Sequence, residues 1–249
     1  MTTVERLLGV AAREVGYLEK ASNDRLDDTT ANAGNANYTK YARDLDRVKF
    51  YNGPKNGFAW CAVFVDWCFV RAFGQETALK MTGQSLGGYG AGCAESVRYY
   101  KAMGRFYRYN PQAGDQIFFA GAKGGMAHTG LVERVSGEQV FTIEGNTSGA
   151  SGVVANGGGV CRKSYPLSYS RIAGYGRPKY ELVQEETMTG KEIYDALQGY
   201  LKELPVPEWA KSELAEAVAL GITDGSNPCQ LVPRYQAAIM TLRAVKGRS

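Results

Sequence analysis

The stretch DQIFFAGAKGGMAHTGLVERVSGEQVFTIEGN, residues 115–146, decides the fold, because the hydrophobic period changes here. DQIFF (115–119), HTGLVERV (128–135) and QVFTIEG (139–145) read as strands separated by Gly-rich turns. GVCRKSY (159–165) and AGYGRPKY (173–180) continue the series downstream. Upstream the period is helical. Val4, Leu7, Leu8, Ala11, Ala12 and Val15 predict a helix over 3–19, a polar loop runs from Ser22 to Asn37, and Tyr38–Val48 reads as a short helix. YNGPKNG (51–57) is a turn cluster. WCAVFVDWCFVRAFG (60–74) is apolar nearly all round, which marks a buried helix ended by Gly74, and residues 94–103 give one more helix. Helices first and strands after make an α+β body over 1–182. QEETMTG (184–190) reads as linker, so the boundary segment is 183–190, followed by a small helical domain over 191–249. There Ile193, Leu197 and Leu201 form one stripe; Trp209, Leu214, Ala217, Val218 and Leu220 form another.

Composition narrows the chemistry. The chain of 249 residues has a single histidine, His128, which excludes zinc sites built on two or three imidazoles. Its five cysteines (61, 68, 93, 161, 229) are odd in number and contain no CxxC, which argues against a disulfide scaffold or zinc ribbon. The charge is uneven, with 22 Lys/Arg against 16 Asp/Glu over 1–184 and 7 against 9 over 185–249. A mildly basic body suits an anionic polymer; no basic run points to nucleic acid. The N-terminus has the charges of Glu5, Arg6, Arg13 and Glu14 where a signal peptide needs an apolar core, and no stretch reaches the roughly 18 apolar residues of a membrane span. The expectation is synthesis in the cytoplasm, with any export by another route, and no membrane partner.

Cys61 opens the buried helix, where the dipole and free amides favour an anion and lower a thiol pKa. A buried structural thiol is the competing reading on spacing alone. Cys68 lies about two turns deeper and reads as core. His128 starts a strand, and with a turn around Ser136–Glu138 the expected register sets it opposite Glu144. Glu144 can then orient the imidazole while the other ring nitrogen faces the thiol. Asn146 is either a turn residue of GNTSG or a further polar group of the site. Trp60, Tyr51, Phe58 and Tyr38 are candidates for lining a substrate groove, against the alternative of core and rim aromatics.

The ordered blocks GFAWCAVFVDW, GDQIFF, HTGLVE and IEGN resemble the CHAP domain, the cysteine- and histidine-dependent amidohydrolases/peptidases of papain-like (NlpC-like) fold. The wider stretch to IAGYGRPKY is similar to phage-type peptidoglycan hydrolases, the endolysins. The resemblance implies Cys61 as nucleophile, His128 as base, Glu144 as orienting third member and Asn146 as a further active-site group. It implies cleavage of a peptidoglycan amide, either between muramic acid and L-alanine or within the stem peptide or cross-bridge, by an enzyme made in the host cytoplasm that acts on the wall after release. The second oxyanion donor stays open between Asn146 and a tyrosine near position 51. No cofactor is expected. Some CHAP domains carry calcium, but Asp24, Asp27, Asp28, Asp44 and Asp46 do not follow EF-hand spacing.

Residues 208–244 resemble a single S-layer-homology-like unit, which implies binding of a secondary cell-wall polymer. A unit this short buries little surface alone, so homo-oligomerisation through these helices is the alternative. The rival reading for the whole chain is a non-catalytic wall-binding protein on a papain-like scaffold.

Overall fold

A computed structural model describes residues 1–183, 190–229, 231 and 234–246. The chain forms two compact units, Met1–Glu185 and Glu186–Ser249. The first is α+β. Helices α1 (Thr3–Arg13), α2 (Lys40–Arg47), α3 (Cys61–Phe73), α4 (Gln75–Thr82) and α5 (Cys93–Ala102) precede six strands. These are β1 (Phe106–Tyr107), β2 (Gln116–Ala120), β3 (Met126–Ser136), β4 (Gln139–Thr147), β5 (Gly159–Pro166) and β6 (Ile172–Gly176). They form one antiparallel sheet in the order β1-β6-β2-β3-β4-β5.

Helix α3 organises the unit. Ten of its 13 residues are buried, so it lies inside the core rather than on it. It packs on β3 and β4 on one side and on α1, α2 and α4 on the others. Around it Tyr17, Tyr41, Trp60, Phe64 and Trp67 form a chain of ring contacts with centroids 4.9–6.5 Å apart. Each such side chain contributes about 1.5–3 kcal/mol by burial. Gly145 of β4 allows the close approach: a Cβ there would stand 2.5 Å from Cβ of Phe64 and 2.9 Å from the Trp60 ring.

Two local expectations are corrected. The N-terminal helix stops at Arg13, not residue 19. Gly16 takes a φ of +96°, and the backbone then joins the edge of the sheet, with Gly16 N donating to Val160 O and Leu18 bridging Gly159. The β3–β4 register also differs. The turn is the pair Gly137–Glu138, with Ser136 opposite Gln139, and the ladder runs to Leu131 opposite Ile143. Glu144 therefore lies across from Gly130, not His128. Glu133 is an extra residue in β3, a bulge between Val132 and Arg134. The net offset of two residues keeps positions 128 and 144 on the same face.

The second unit holds α6 (Gly190–Glu203), α7 (Glu208–Ala219) and α8 (Arg234–Lys246). Its described apolar side chains are largely open to solvent; Trp209 is 77% exposed and Tyr200 62%. Among the described residues no helix is long and apolar enough to cross a membrane.

Candidate active site

Cys61 is the first residue of α3. The residue before it, Trp60, offers no side-chain cap, so the first-turn amides stay free to face an anion. Trp60 is itself held in place: its indole N–H donates to Oε2 of the buried Glu19 at 2.8 Å. The Cys61 sulfur lies 3.6 Å from that of Cys93, the first residue of α5.

His128, paired with Phe119 of β2, stacks on that ring at 6.0 Å. Its Nε2 lies 2.9 Å from Glu144 Oε2, and both side chains are wholly buried. The contact is diagonal across β3 and β4, and Gly130 leaves room for it. A Cβ on Gly130 would stand 2.5 Å from Glu144 Cγ and 2.9 Å from Ile143 O. The carboxylate is held from two further sides: Thr142 Oγ1 donates to Oε1 at 2.6 Å and the Tyr165 hydroxyl reaches Oε2 at 3.3 Å. With Nε2 engaged, Nδ1 is the ring nitrogen left for Cys61, and at rest it makes no aligned hydrogen bond. Such contacts tighten in complexes with substrate.

Electrostatics couple the two groups. The Cys93 thiol hydrogen bond is the largest influence on Cys61; burial opposes it, and His128 and the Ala62 amide add to it, leaving the Cys61 thiol well below its ordinary value of 9.0. Burial alone would lower the His128 pKa, but Cys61 and Glu144 outweigh it and raise it from 6.5 to about 9. Each group thus favours the charged form of the other. Cys68, buried in the same helix with no such partners, is pushed up instead, by burial first.

The other candidates separate. Asn146 is buried at the bulge between β4 and β5 with a φ of +55°. Its Oδ1 accepts from Gly158 N at 3.4 Å, and its Nδ2 has no partner. Trp60 is corrected as a groove-lining residue, whereas Tyr51 lines a pocket of about 370 Å³ with Asp46, Lys49, Asn52, Gly53 and Pro54. Trp60 is 0% exposed in the aromatic core, and Tyr51 is 4% exposed. The Tyr51 hydroxyl donates to Asp66 Oδ2 at 2.6 Å, which commits it away from an oxyanion. Tyr38 lines a cleft of about 650 Å³ with Arg43, Asp46, Pro54 and Asn56, and Phe58 is 63% exposed three residues before Cys61. Thr142, Tyr165 and Cys93 were not singled out by the sequence. Only Thr142 carried a signal, lying two residues from Glu144 on the same strand face.

The acidic residues before Cys61 are largely committed. Asp27 pairs with Arg43, Asp28 with Arg25, Asp44 with Arg43 and Trp67, and Asp46 accepts from the amides of Lys55 and Asn56. Among the described residues no three His, Cys, Asp or Glu side chains gather as a metal cage.

Gly130→Ala is expected to cost about 1–3 kcal/mol, because the new methyl forces Glu144 or the strand to move. Thermal unfolding measures the loss, and an unchanged midpoint contradicts the tight fit.

Residues 53–146 match the family model of the CHAP domain, a span that contains Cys61, His128, Glu144 and Asn146. No curated protein matches the chain significantly. A solved structure titled "The crystal structure of Ly7917" is similar at 14% identity with a TM-score of 0.41, over 72% of this chain and 63% of that one. The chain thus spans less than two thirds of the structure it matches.

Proposed function

We propose that the chain is a peptidoglycan hydrolase of endolysin type that cleaves a wall amide through Cys61, His128 and Glu144, a reading supported by the match of residues 53–146 to the CHAP domain. CHAP domains are in general hydrolytic, cysteine- and histidine-dependent amidohydrolases or peptidases. The observation that carries the finer reading is the buried 2.9 Å contact of His128 with Glu144 beside a thiol at an uncapped helix start.

In this reading the Cys61 thiolate attacks the amide carbonyl. The backbone N–H of Cys61 and the unpartnered Nδ2 of Asn146 are the donors offered to the oxyanion. His128 protonates the leaving amine, then takes a proton from the water that resolves the thioester. Glu144 holds the imidazolium through Nε2, and Thr142 and Tyr165 hold Glu144. Phe58 and Tyr38 are assigned to substrate contact in this reading, which the exposure of Phe58 and the cleft at Tyr38 support. The mildly basic body favours an anionic wall. The exposed apolar side chains of the second unit suit either a secondary wall polymer or self-association, and light scattering of the full chain across a concentration series distinguishes them.

Digestion of purified peptidoglycan with mass spectrometry of the products tests the reading and names the bond. New N-terminal alanine marks an amidase; new termini within the stem or cross-bridge mark an endopeptidase. Intact peptidoglycan after prolonged digestion refutes it.

The pH profile follows from the ion pair. His128 keeps its proton up to about 9, and Cys61 stays ionised from well below 9.0 upward. The rate is expected to rise through the low Cys61 pKa and fall near pH 9 as His128 loses its proton. An alkaline limb near 6.5 would contradict the raised imidazole.

A further inference from the structure

We propose that Cys61 and Cys93 are a modification site, closing to a reversible disulfide when a hydroperoxide oxidises Cys61 and reopening with a thiol reductant. The two sulfurs are 3.6 Å apart, each the other's hydrogen-bond partner, and an approach of about 1.5 Å reaches the bonding distance of about 2.05 Å. They stand at the first residues of α3 and α5, whose preceding residues Trp60 and Gly92 give neither helix a side-chain cap. Both belong to one buried cluster with Val97, Tyr100, Phe118 and Ala173, which keeps the partners facing each other. Cys68 lies about two turns further along α3, and Cys161 is on β5. Neither has the geometry of Cys93.

The chemistry balances with a hydroperoxide as oxidant. The Cys61 thiolate attacks the O–O bond; sulfur loses two electrons to become a sulfenic acid, and hydroxide leaves from hydrogen peroxide. Cys93 sulfur then attacks the sulfenic sulfur, the S–O bond breaks, and the Cys93 proton leaves with hydroxide as water. A dithiol reverses the bond by exchange and restores both thiols. Because Cys93 is already in contact, closure competes with over-oxidation of Cys61 to the irreversible sulfinic acid. That the disulfide switches hydrolysis off rests on Cys61 being the nucleophile; formation of the bond does not.

The test treats the full chain with hydrogen peroxide, removes the excess with catalase, alkylates, and maps tryptic peptides without reduction. The expected product joins peptide 56–71 to peptide 81–98, two mass units below their sum, and fragment ions between Cys61 and Cys68 assign the bond. Iodoacetamide labelling of Cys61 should fall at least about tenfold and return with dithiothreitol. In Cys93→Ser the peroxide should instead leave Cys61 as dimedone-reactive sulfenic acid and then as sulfinic acid, with no recovery. Cys61 found reduced, over-oxidised to the same extent with and without Cys93, or bonded to another cysteine overturns the proposal. Linked peptides from a protein that never digests peptidoglycan support the modification and remove only the functional reading.

Discussion

Replacing His128 with alanine is expected to lower peptidoglycan hydrolysis by about 10⁴-fold or more. No other imidazole exists in the chain to substitute for it. The loss comes in two parts. The leaving amine has no acid, and Cys61 loses one of the influences that keep it ionised. The variant also leaves the Glu144 carboxylate buried without its cationic partner, which costs about 3–5 kcal/mol. Circular dichroism at the assay temperature therefore belongs beside the rate. Cys61→Ala separates the two effects, since it removes the nucleophile while retaining the His128–Glu144 contact. Release of soluble wall fragments by folded Cys61→Ala or His128→Ala at the native rate ends the thiol mechanism.

Glu144→Gln is expected to lower the rate by about 10³-fold with little change in shape. The amide can keep the Thr142 bond through its oxygen, but it then presents an N–H to His128 Nε2. That nitrogen must become an acceptor, so the single ring proton moves to Nδ1, the atom left for Cys61. The ion pair is lost by tautomer as well as by charge. Glu144 is one of the groups raising His128, so the alkaline limb should also move down from about 9. A full pH profile on peptidoglycan reads both effects. An unaltered limb with an unaltered rate would make Glu144 a packing residue.

Much of this was visible in the sequence because it depends on period and order. The change from three- and four-residue steps to alternation at residue 115 separates the helices from all of the sheet except the two-residue β1, and the apolar run after Trp60 identifies α3. What was hidden depends on closure between distant segments. Helix α4, QETALKMT, has a weak apolar stripe and gained no reading. The end of α1 depends on Gly16 turning the chain onto the sheet edge. The burial of Trp60 and Tyr51 depends on Glu19 and Asp66 accepting their polar hydrogens from 41 and 15 residues away. Cys93 is 32 residues from Cys61, and only the docking of α5 reveals it. Local chemistry named the reactive groups; tertiary contacts chose which neighbours tune them.

The bulge at Glu133 has a further consequence for how this hairpin tolerates changes in length. With a two-residue turn and no bulge, the strands would pair one step out of phase, and His128 and Glu144 would point to opposite sides of the sheet. The extra residue restores the reading frame. Deleting Glu133 itself should leave Gly130 opposite Glu144, because the residues on either side of it already pair in that phase, whereas deleting one residue between Glu133 and His128 should turn His128 and Glu144 to opposite faces. Fifteen residues separate the base from its carboxylate, an odd number that brings both to one face only because one of them stands outside the ladder.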